Sequence, residues 1–434
     1  MKVAPAHRVK GQLRLPGDKS ISHRAALIAA LANGVSRLSN FSTSLDCAST
    51  LSCLQQLGIS ITRDSEILSI AGRYELTKAA KPLDCGNSGS TMRMLAGIVA
   101  TQDFSSELTG DESLRARPMQ RIIEPLELMG AYIRSQERKP PLTIQGSRRL
   151  NTISYKLPVA SAQVKSCILF AALQADGYTE VIETSSSRDH TERLFNAFGV
   201  PVSTKTTDAG NSVVALEGPA RFTAGNFLIP GDISSAAYFV AMALLLPGSE
   251  LVIEGLGLNP TRMEYLSALR SWGANITTSD VRQECNEPVG TIRVRSGLPA
   301  TTAKDEKRNL SGSMIPNLID ELPLLAVVGT QIPGGLEIRN AEELRVKESD
   351  RLAATVKNLR AMGAEVEEYD DGLAVSGPTS LRGALIDSYG DHRIAMAFSV
   401  ASLVAEGASE IAGAECVDIS FPEFYKLLET VVER

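Results

Sequence analysis

The chain repeats itself with a period near 72 residues, and that period limits what it can fold into. Five times a helix-like apolar segment ends in a bulky residue, then a glycine, then a strand-like run. These are QLGISI at Gly58, LMGAYI at Gly130, AFGVPV at Gly199, SWGANI at Gly273 and AMGAEV at Gly363, spaced by 72, 69, 74 and 90 residues. Glycine at such a junction fits the residue after a helix C-cap, where a left-handed backbone is required. A second series interleaves with the first, each member a turn that opens an Ala/Leu-rich helix. It comprises PGDKSIS at Pro16, CGNSGSTM at Cys85, PVASAQVK at Pro158, PGDISSA at Pro230, PNLIDELP at Pro316 and YGDHRIAM at Tyr389. Strand-turn-helix patterns recur by chance in any α/β protein, but two registered series argue for true repeats, too long for a short solenoid unit.

Six such units exceed one core, because single cores stop growing at roughly 250–300 residues. Two α/β domains of three units each are therefore predicted. The paired PGD turns mark where the chain changes domain, giving one domain of residues 18–231 and a discontinuous one of 1–17 plus 232–434. A double crossing of this kind permits hinge closure around a ligand held between domains.

Composition narrows the partners. A net charge of −6 in 434 residues gives no support to nucleic acid or an anionic membrane as a bulk partner. Any anion site must be local. The six cysteines and four histidines lack metal-site or disulfide-framework spacing, so no metal and no cofactor is expected. No signal pattern opens the chain, and apolar runs such as 236–246 are too short to span a bilayer. A cytoplasmic protein, expected to be a monomer, is the reading.

The six turns carry the polar groups. A helix N-terminus presents unpaired N–H groups and the positive dipole end, which favour phosphate or carboxylate. LPGDKSISHRA places Lys19, Ser20 and Arg24 there; a solvated basic turn is the plainer alternative. CGNSGSTMR offers Asn87, Gly89 and Ser90 in a small-residue loop that lets backbone approach a ligand. DESLRARPMQR crowds Arg115, Arg117 and Arg121, which a salt-bridged surface would also explain. LPVASAQVKS supplies Ser161, Gln163 and Lys165, suited to a polyhydroxylated ligand or to a simple capped helix. ELRVKESDR sets Lys347 and Arg351 four apart, a like-charge pair that wants an anion, although Glu343 is an alternative partner for Lys347. YGDHRIAM holds Asp391, His392 and Arg393, with Asp391 a possible N-cap. The fourth turn, PGDISSA, is nearly bare, and His23 has no evident role.

Taken in order, LPGDKSISHRA, GNSGSTMR, RARPM, SAQVKS, SRDHTE, IDELPLLAV, LRVKESDRL and GDHRIAM closely resemble the 5-enolpyruvylshikimate-3-phosphate synthase family over essentially the whole chain. The resemblance implies a two-domain inverse α/β barrel of six βαβαββ units, with its active site in the interdomain cleft. It implies transfer of the enolpyruvyl group of phosphoenolpyruvate to the 5-hydroxyl of shikimate 3-phosphate by addition and elimination, a step toward chorismate and the aromatic amino acids. By motif, Lys19, Ser20, Arg24, Ser161, Ala162, Gln163, Arg188, Asp320 and Lys347 would hold shikimate 3-phosphate. Lys19, Asn87, Gly89, Arg117, Arg351 and Arg393 would hold phosphoenolpyruvate, whose mimic in this family is the inhibitor glyphosate. Asp320 would deprotonate the attacking hydroxyl, Glu348 would exchange a proton with the methylene carbon, and Lys19 would assist phosphate departure.

Three departures resemble the family's second subclass: Ala162 where a second serine is usual, Arg188 in place of a tyrosine against the shikimate ring, and Ile419 in place of a late lysine that contacts phosphoenolpyruvate. Two alternatives remain at this level. The sister transferase acting on UDP-N-acetylglucosamine shares the fold but usually carries a cysteine in the loop corresponding to 111–121, which here has none. A catalytically inactive polyanion-binding relative would gain nothing from keeping both Asp320 and Glu348.

Overall fold

The computed structural model describes residues 1–208, 210–298 and 307–434. The chain divides into two compact units, one of residues 1–16, 231–282 and 288–434, the other of residues 17–230 and 283–287. The short stretch Gln283–Glu287 joins the second unit, an excursion that the turn series gave no hint of. Its anchors are the His190 Nδ1–Glu287 Oε1 contact of 2.7 Å and the Arg193 Nη1 bond to the Asn286 carbonyl of 3.1 Å.

Among the described residues each unit has its own hydrophobic core and three small sheets. The second unit shows the repeat plainly. Strand Leu83–Asp84 pairs in parallel with Ser105–Thr109, with helix Gly89–Val99 between them. Lys139–Gln145 then adds antiparallel to Ser105–Thr109, and Tyr132–Gln136 antiparallel to Lys139–Gln145. The same order is built from Ser154–Lys156, Gly177–Glu183, Ser212–Gly218 and Val202–Thr206 around helix Ala162–Ala172. In the remaining sheet of this unit the first strand is Asn226–Leu228, from the far end of the unit's sequence, set parallel to Gly34–Ser39. Conversely, Arg8–Arg14 lies parallel to Glu250–Gly257 in the first unit. The PGD turns therefore exchange strands. Asp18 N donates to the Pro230 carbonyl at 2.7 Å, and Asp232 N to the Pro16 carbonyl at 3.0 Å.

The Ala/Leu-rich helices are central. In Ile233–Leu245 every residue from Ile233 to Leu244 is buried, and in His392–Leu403 every residue is. A helix enclosed on all sides has no polar face to offer, so ionisable groups collect at its N-terminal turn. Five of the six caps are side chains that accept from the first turn: Asp18, Ser88, Ser161, Asp232 and Asp391. The fifth helix of the series, Leu322–Gly329, instead begins with a proline in its first turn.

The five junction glycines adopt φ values of 86°, 97°, 83°, 90° and 88° in chain order. Each closes its helix in the same way. Gly58 N donates to Gln55 O and Ile59 N to Leu54 O, and the four later junctions reproduce both bonds. A further repeated glycine escaped the sequence reading. A Cβ on Gly72, Gly146 or Gly218 would lie 2.0–2.2 Å from the carbonyl oxygen of Ala29, Gln102 or Ala172. These glycines let the last strand of each repeat meet the end of its first helix.

Candidate active site

In the second unit the basic residues converge on two helix N-termini. Lys19 opens helix Lys19–Leu31, and its Nζ lies 2.8 Å from Asp46 Oδ2. One turn on, Arg24 is buried. Its Nε donates to Thr191 Oγ1 at 2.7 Å, Nη2 to Ser166 Oγ at 3.0 Å, and Nη1 to the Ser20 carbonyl at 2.9 Å. Arg24 thereby fixes the Ser20 backbone from below.

The second turn is more tightly built. Arg117 Nη2 donates to Asn87 Oδ1 at 2.8 Å, while Asn87 Nδ2 donates to Asp111 Oδ2 at 2.7 Å. Gly89 begins helix Gly89–Val99, and a Cβ there would meet Arg93 Nη1 at 2.7 Å and Arg117 Nη1 at 3.4 Å. Arg93 also donates to Gln163 Oε1 at 2.8 Å, and Gln163 Nε2 to Ser90 Oγ at 2.8 Å. Asn87, Gly89, Arg117 and Gln163 are thus brought into one polar cluster with two guanidinium groups over a bare glycine. Ser161 caps helix Ala162–Ala172, of which Ala162 is the first residue, and Arg188 lies just ahead of helix His190–Ala197. Arg93 was missed by the sequence reading, although it stands four residues after Gly89 within the GNSGSTMR motif. Lys165 is corrected: it is buried between Glu183 and Glu192, at 2.8 and 2.7 Å, and serves the core rather than a ligand.

In the first unit the carboxylates gather around Arg351. This side chain is 2 % exposed and opens helix Arg351–Ala361 behind the Asp350 cap. Its Nε lies 2.8 Å from Asp391 Oδ2, its Nη2 2.5 Å from Glu348 Oε2, and its Nη1 3.5 Å from Asp320 Oδ1. Burial opposes its charge, but Asp391, Glu348 and Asp320 together hold its pKa above the ordinary arginine value. Arg393 Nη1 donates to Ser234 Oγ at 2.5 Å, and its guanidinium lies 3.8 Å from both Asp320 and Glu321. Burial again works against the charge, and Tyr238, Asp320 and Glu321 more than restore it. Lys347 lies 3.8 Å from Glu343 Oε2, the partner allowed for above; desolvation lowers its pKa against the pull of Glu343 and Asp320.

Two features of this group differ from expectation. The fourth turn is not bare, because Ser234 links Arg393 to Glu321, to which its hydroxyl donates. Arg262, which no motif announced, lies 3.8 Å from Asp320 Oδ2. Asp320 is therefore ringed by Arg262, Arg351 and Arg393, so that a carboxylate here is held near three fixed cations. Ile419 ends the 3₁₀ turn Ala414–Ile419.

The sequence places this fold and these residues among known proteins. The model of the family described as EPSP synthase (3-phosphoshikimate 1-carboxyvinyltransferase) matches residues 3–428. The chain belongs to the EPSP synthase family. A protein of Koribacter versatilis named 3-phosphoshikimate 1-carboxyvinyltransferase is 51 % identical over 437 aligned positions, covering all of this chain and 99 % of that one. One of the same name from Desulforamulus reducens is 45 % identical, covering 99 % of each. Among solved structures, EPSP synthase from Acinetobacter baumannii matches with a TM-score of 0.85 at 37 % identity, over 99 % of this chain and 98 % of that one. The enolpyruvyl transferase NikO from Streptomyces tendae shares the fold, with a TM-score of 0.79 at 16 % identity over 100 % and 97 % of the chains. The two-domain α/β architecture of this family is the one described above. No described helix is long and apolar enough to cross a membrane.

Proposed function

We infer that this EPSP synthase family member transfers the enolpyruvyl group of phosphoenolpyruvate to the 5-hydroxyl of shikimate 3-phosphate, releasing phosphate. The observation that carries the mechanism is the bridging of two carboxylates by one guanidinium, Arg351 reaching Glu348 at 2.5 Å and Asp320 at 3.5 Å. A base and an acid are needed for addition of an alcohol across an enol double bond, and each must be held in position.

In the addition step, Asp320 accepts the hydroxyl proton as the oxygen bonds to C2 of phosphoenolpyruvate, and Glu348 delivers a proton to C3. In the elimination step, Glu348 takes a proton back from the new methyl group, the C2–phosphate oxygen bond breaks, and Lys19 neutralises the departing phosphate. Arg117, Arg351 and Arg393, with Asn87 and the Gly89 backbone, bind the phosphate and carboxylate of phosphoenolpyruvate; planar guanidinium forks suit both groups. Lys19, Ser20, Arg24, Ser161, Ala162, Gln163, Arg188, Asp320 and Lys347 take shikimate 3-phosphate. Arg93 and Arg262 join these sets through Gln163 and Asp320 respectively.

Six free cysteines support a reducing, cytoplasmic setting. Phosphate release measured with each acceptor tests the reading. Release with shikimate 3-phosphate and none with UDP-N-acetylglucosamine is expected; the reverse result overturns it.

A further inference from the structure

His23 is fully buried on helix Lys19–Leu31, and none of the steps above uses it. Its Nδ1 lies 2.7 Å from Thr50 Oγ1. Thr50 Oγ1 lies 2.6 Å from Thr91 Oγ1, and Thr91 Oγ1 donates to Ser88 Oγ at 2.8 Å. Ser88 is the N-cap of helix Gly89–Val99, where its oxygen also accepts the Thr91 N–H at 3.1 Å. A continuous buried chain therefore runs from the helix that bears Lys19 and Ser20 to the cap of the turn that bears Asn87 and Gly89.

Proton counting gives this chain a direction. Each threonine hydroxyl has one proton. Thr91 has two other acceptors for its proton, Ser88 Oγ at 2.8 Å and the Asp46 carbonyl at 3.4 Å, so the proton between the two threonines is assigned to Thr50. With that proton committed, the hydrogen bond between Thr50 and His23 must be donated by the ring. His23 is thereby assigned the neutral Nδ1–H form. Its Nε2 is buried with no partner among the described residues, so nothing there would stabilise a second proton. The two cations on the same helix, Lys19 and Arg24, oppose one as well, and together with burial they hold the His23 pKa well below its usual value.

We propose that His23 is a positioning residue. Through its Nδ1–H it sets the proton order of the Thr50–Thr91–Ser88 chain and locks the Asn87–Gly89 turn in register with the Lys19–Ser20 turn. The inference rests on the assignment of Asn87 and Gly89 to phosphoenolpyruvate, and its effect is confined to that substrate's site. Asparagine is the informative replacement, because its Nδ2 stands where the histidine Nδ1 stands and donates in the same direction. Leucine has a similar reach but no donor.

The test begins with the wild-type enzyme labelled with ¹⁵N-histidine, whose His23 ring signals are assigned by their loss in H23N. A neutral ring protonated at Nδ1 supports the proposal; a ring protonated at Nε2, or at both nitrogens, at pH 7.5 overturns it. Steady-state kinetics follow for H23L, T50V, H23N and T50S. A rise of roughly three- to tenfold in KM for phosphoenolpyruvate in H23L and T50V, the scale of one buried hydrogen bond, with kcat changed less, is expected. In H23N and T50S that KM returns to within about twofold of wild type, because both retain the donor geometry. Unchanged KM values in T50V, or no recovery in H23N and T50S, overturn the proposal even where H23L fails to fold. An inactive wild type would instead defeat the functional reading, leaving the tautomer measurement to stand on its own.

Discussion

Arg351 and Asp391 form a buried ion pair in which one carboxylate does two jobs. Asp391 Oδ2 lies 2.8 Å from Arg351 Nε, while Oδ1 accepts the Arg393 N–H at 2.9 Å and so caps helix His392–Leu403. Asp391→Asn keeps a capping oxygen but removes the charge, leaving a guanidinium that is 2 % exposed short of its strongest partner. Removing one member of a buried pair costs about 3–5 kcal/mol. D391N is therefore expected to unfold at distinctly lower urea concentration than wild type, with a loss of that order.

The two carboxylates assigned to proton transfer should separate from the residues assigned to binding. D320N and E348Q are each expected to lower kcat by about 10²–10⁴, measured as phosphate release at saturating substrates. A fall of less than tenfold in both would remove them from the chemistry.

Gly89 leaves little space for a side chain at the proposed phosphoenolpyruvate site. A methyl group there meets Arg93 Nη1 at 2.7 Å and Arg117 Nη1 at 3.4 Å, and both are tips of flexible side chains that can retreat. Gly89→Ala should fold, raise KM for phosphoenolpyruvate by roughly tenfold through displaced guanidinium groups, and weaken inhibition by glyphosate in parallel. Parallel inhibition and substrate kinetics check this, and unchanged values for both would place the cradle elsewhere.

Two classes of repeated glycine should respond differently to alanine. Gly199 has φ +83° with nothing within 4 Å of its Cβ position, so G199A meets backbone strain alone, about 1–2 kcal/mol. Gly146 would drive a Cβ to 2.0 Å from the Gln102 carbonyl and 2.5 Å from that of Val99. G146A must shift backbone, and a loss above about 3 kcal/mol or failure to fold is expected. Equal midpoints in denaturant would contradict the distinction.

His23 predicts a pH dependence of stability with a defined sign. Its folded pKa is held well below 6.5, chiefly by burial and further by Lys19 and Arg24. Below pH 6.5 the unfolded chain takes up a proton that the folded protein refuses. Stability is therefore lost as pH falls from 6.5 toward the folded pKa and is complete above 6.5. Relative to H23N, the wild type should lose stability, on the order of 1 kcal/mol, between pH 7.5 and 5.5. Paired urea titrations at the two pH values cancel the carboxylates common to both proteins, and a parallel response would show that His23 titrates normally.

Much of the architecture was legible because its causes are local. A glycine after a helix needs a left-handed backbone wherever it occurs, so five such junctions interleaved with six helix-opening turns announced six repeats before any contact was known. Motif resemblance supplied the residues proposed to react. The sequence alone did not reveal Gly72, Gly146 and Gly218, whose need for bareness arises only when the last strand of a repeat meets carbonyls some forty residues away in the chain. Nor did it reveal that Lys165 is spent on Glu183 and Glu192, that Arg262 stands beside Asp320, or that Ser234 in the seemingly bare fourth turn bonds Arg393 across 159 residues. The sequence by itself determined the repeat, its helix ends and the chemical types available at each turn, because these follow from backbone conformation and periodic burial. Only the tertiary structure decided which charge meets which, because partners in a buried network are set by long-range packing, where every polar group must find a hydrogen bond and few can satisfy it.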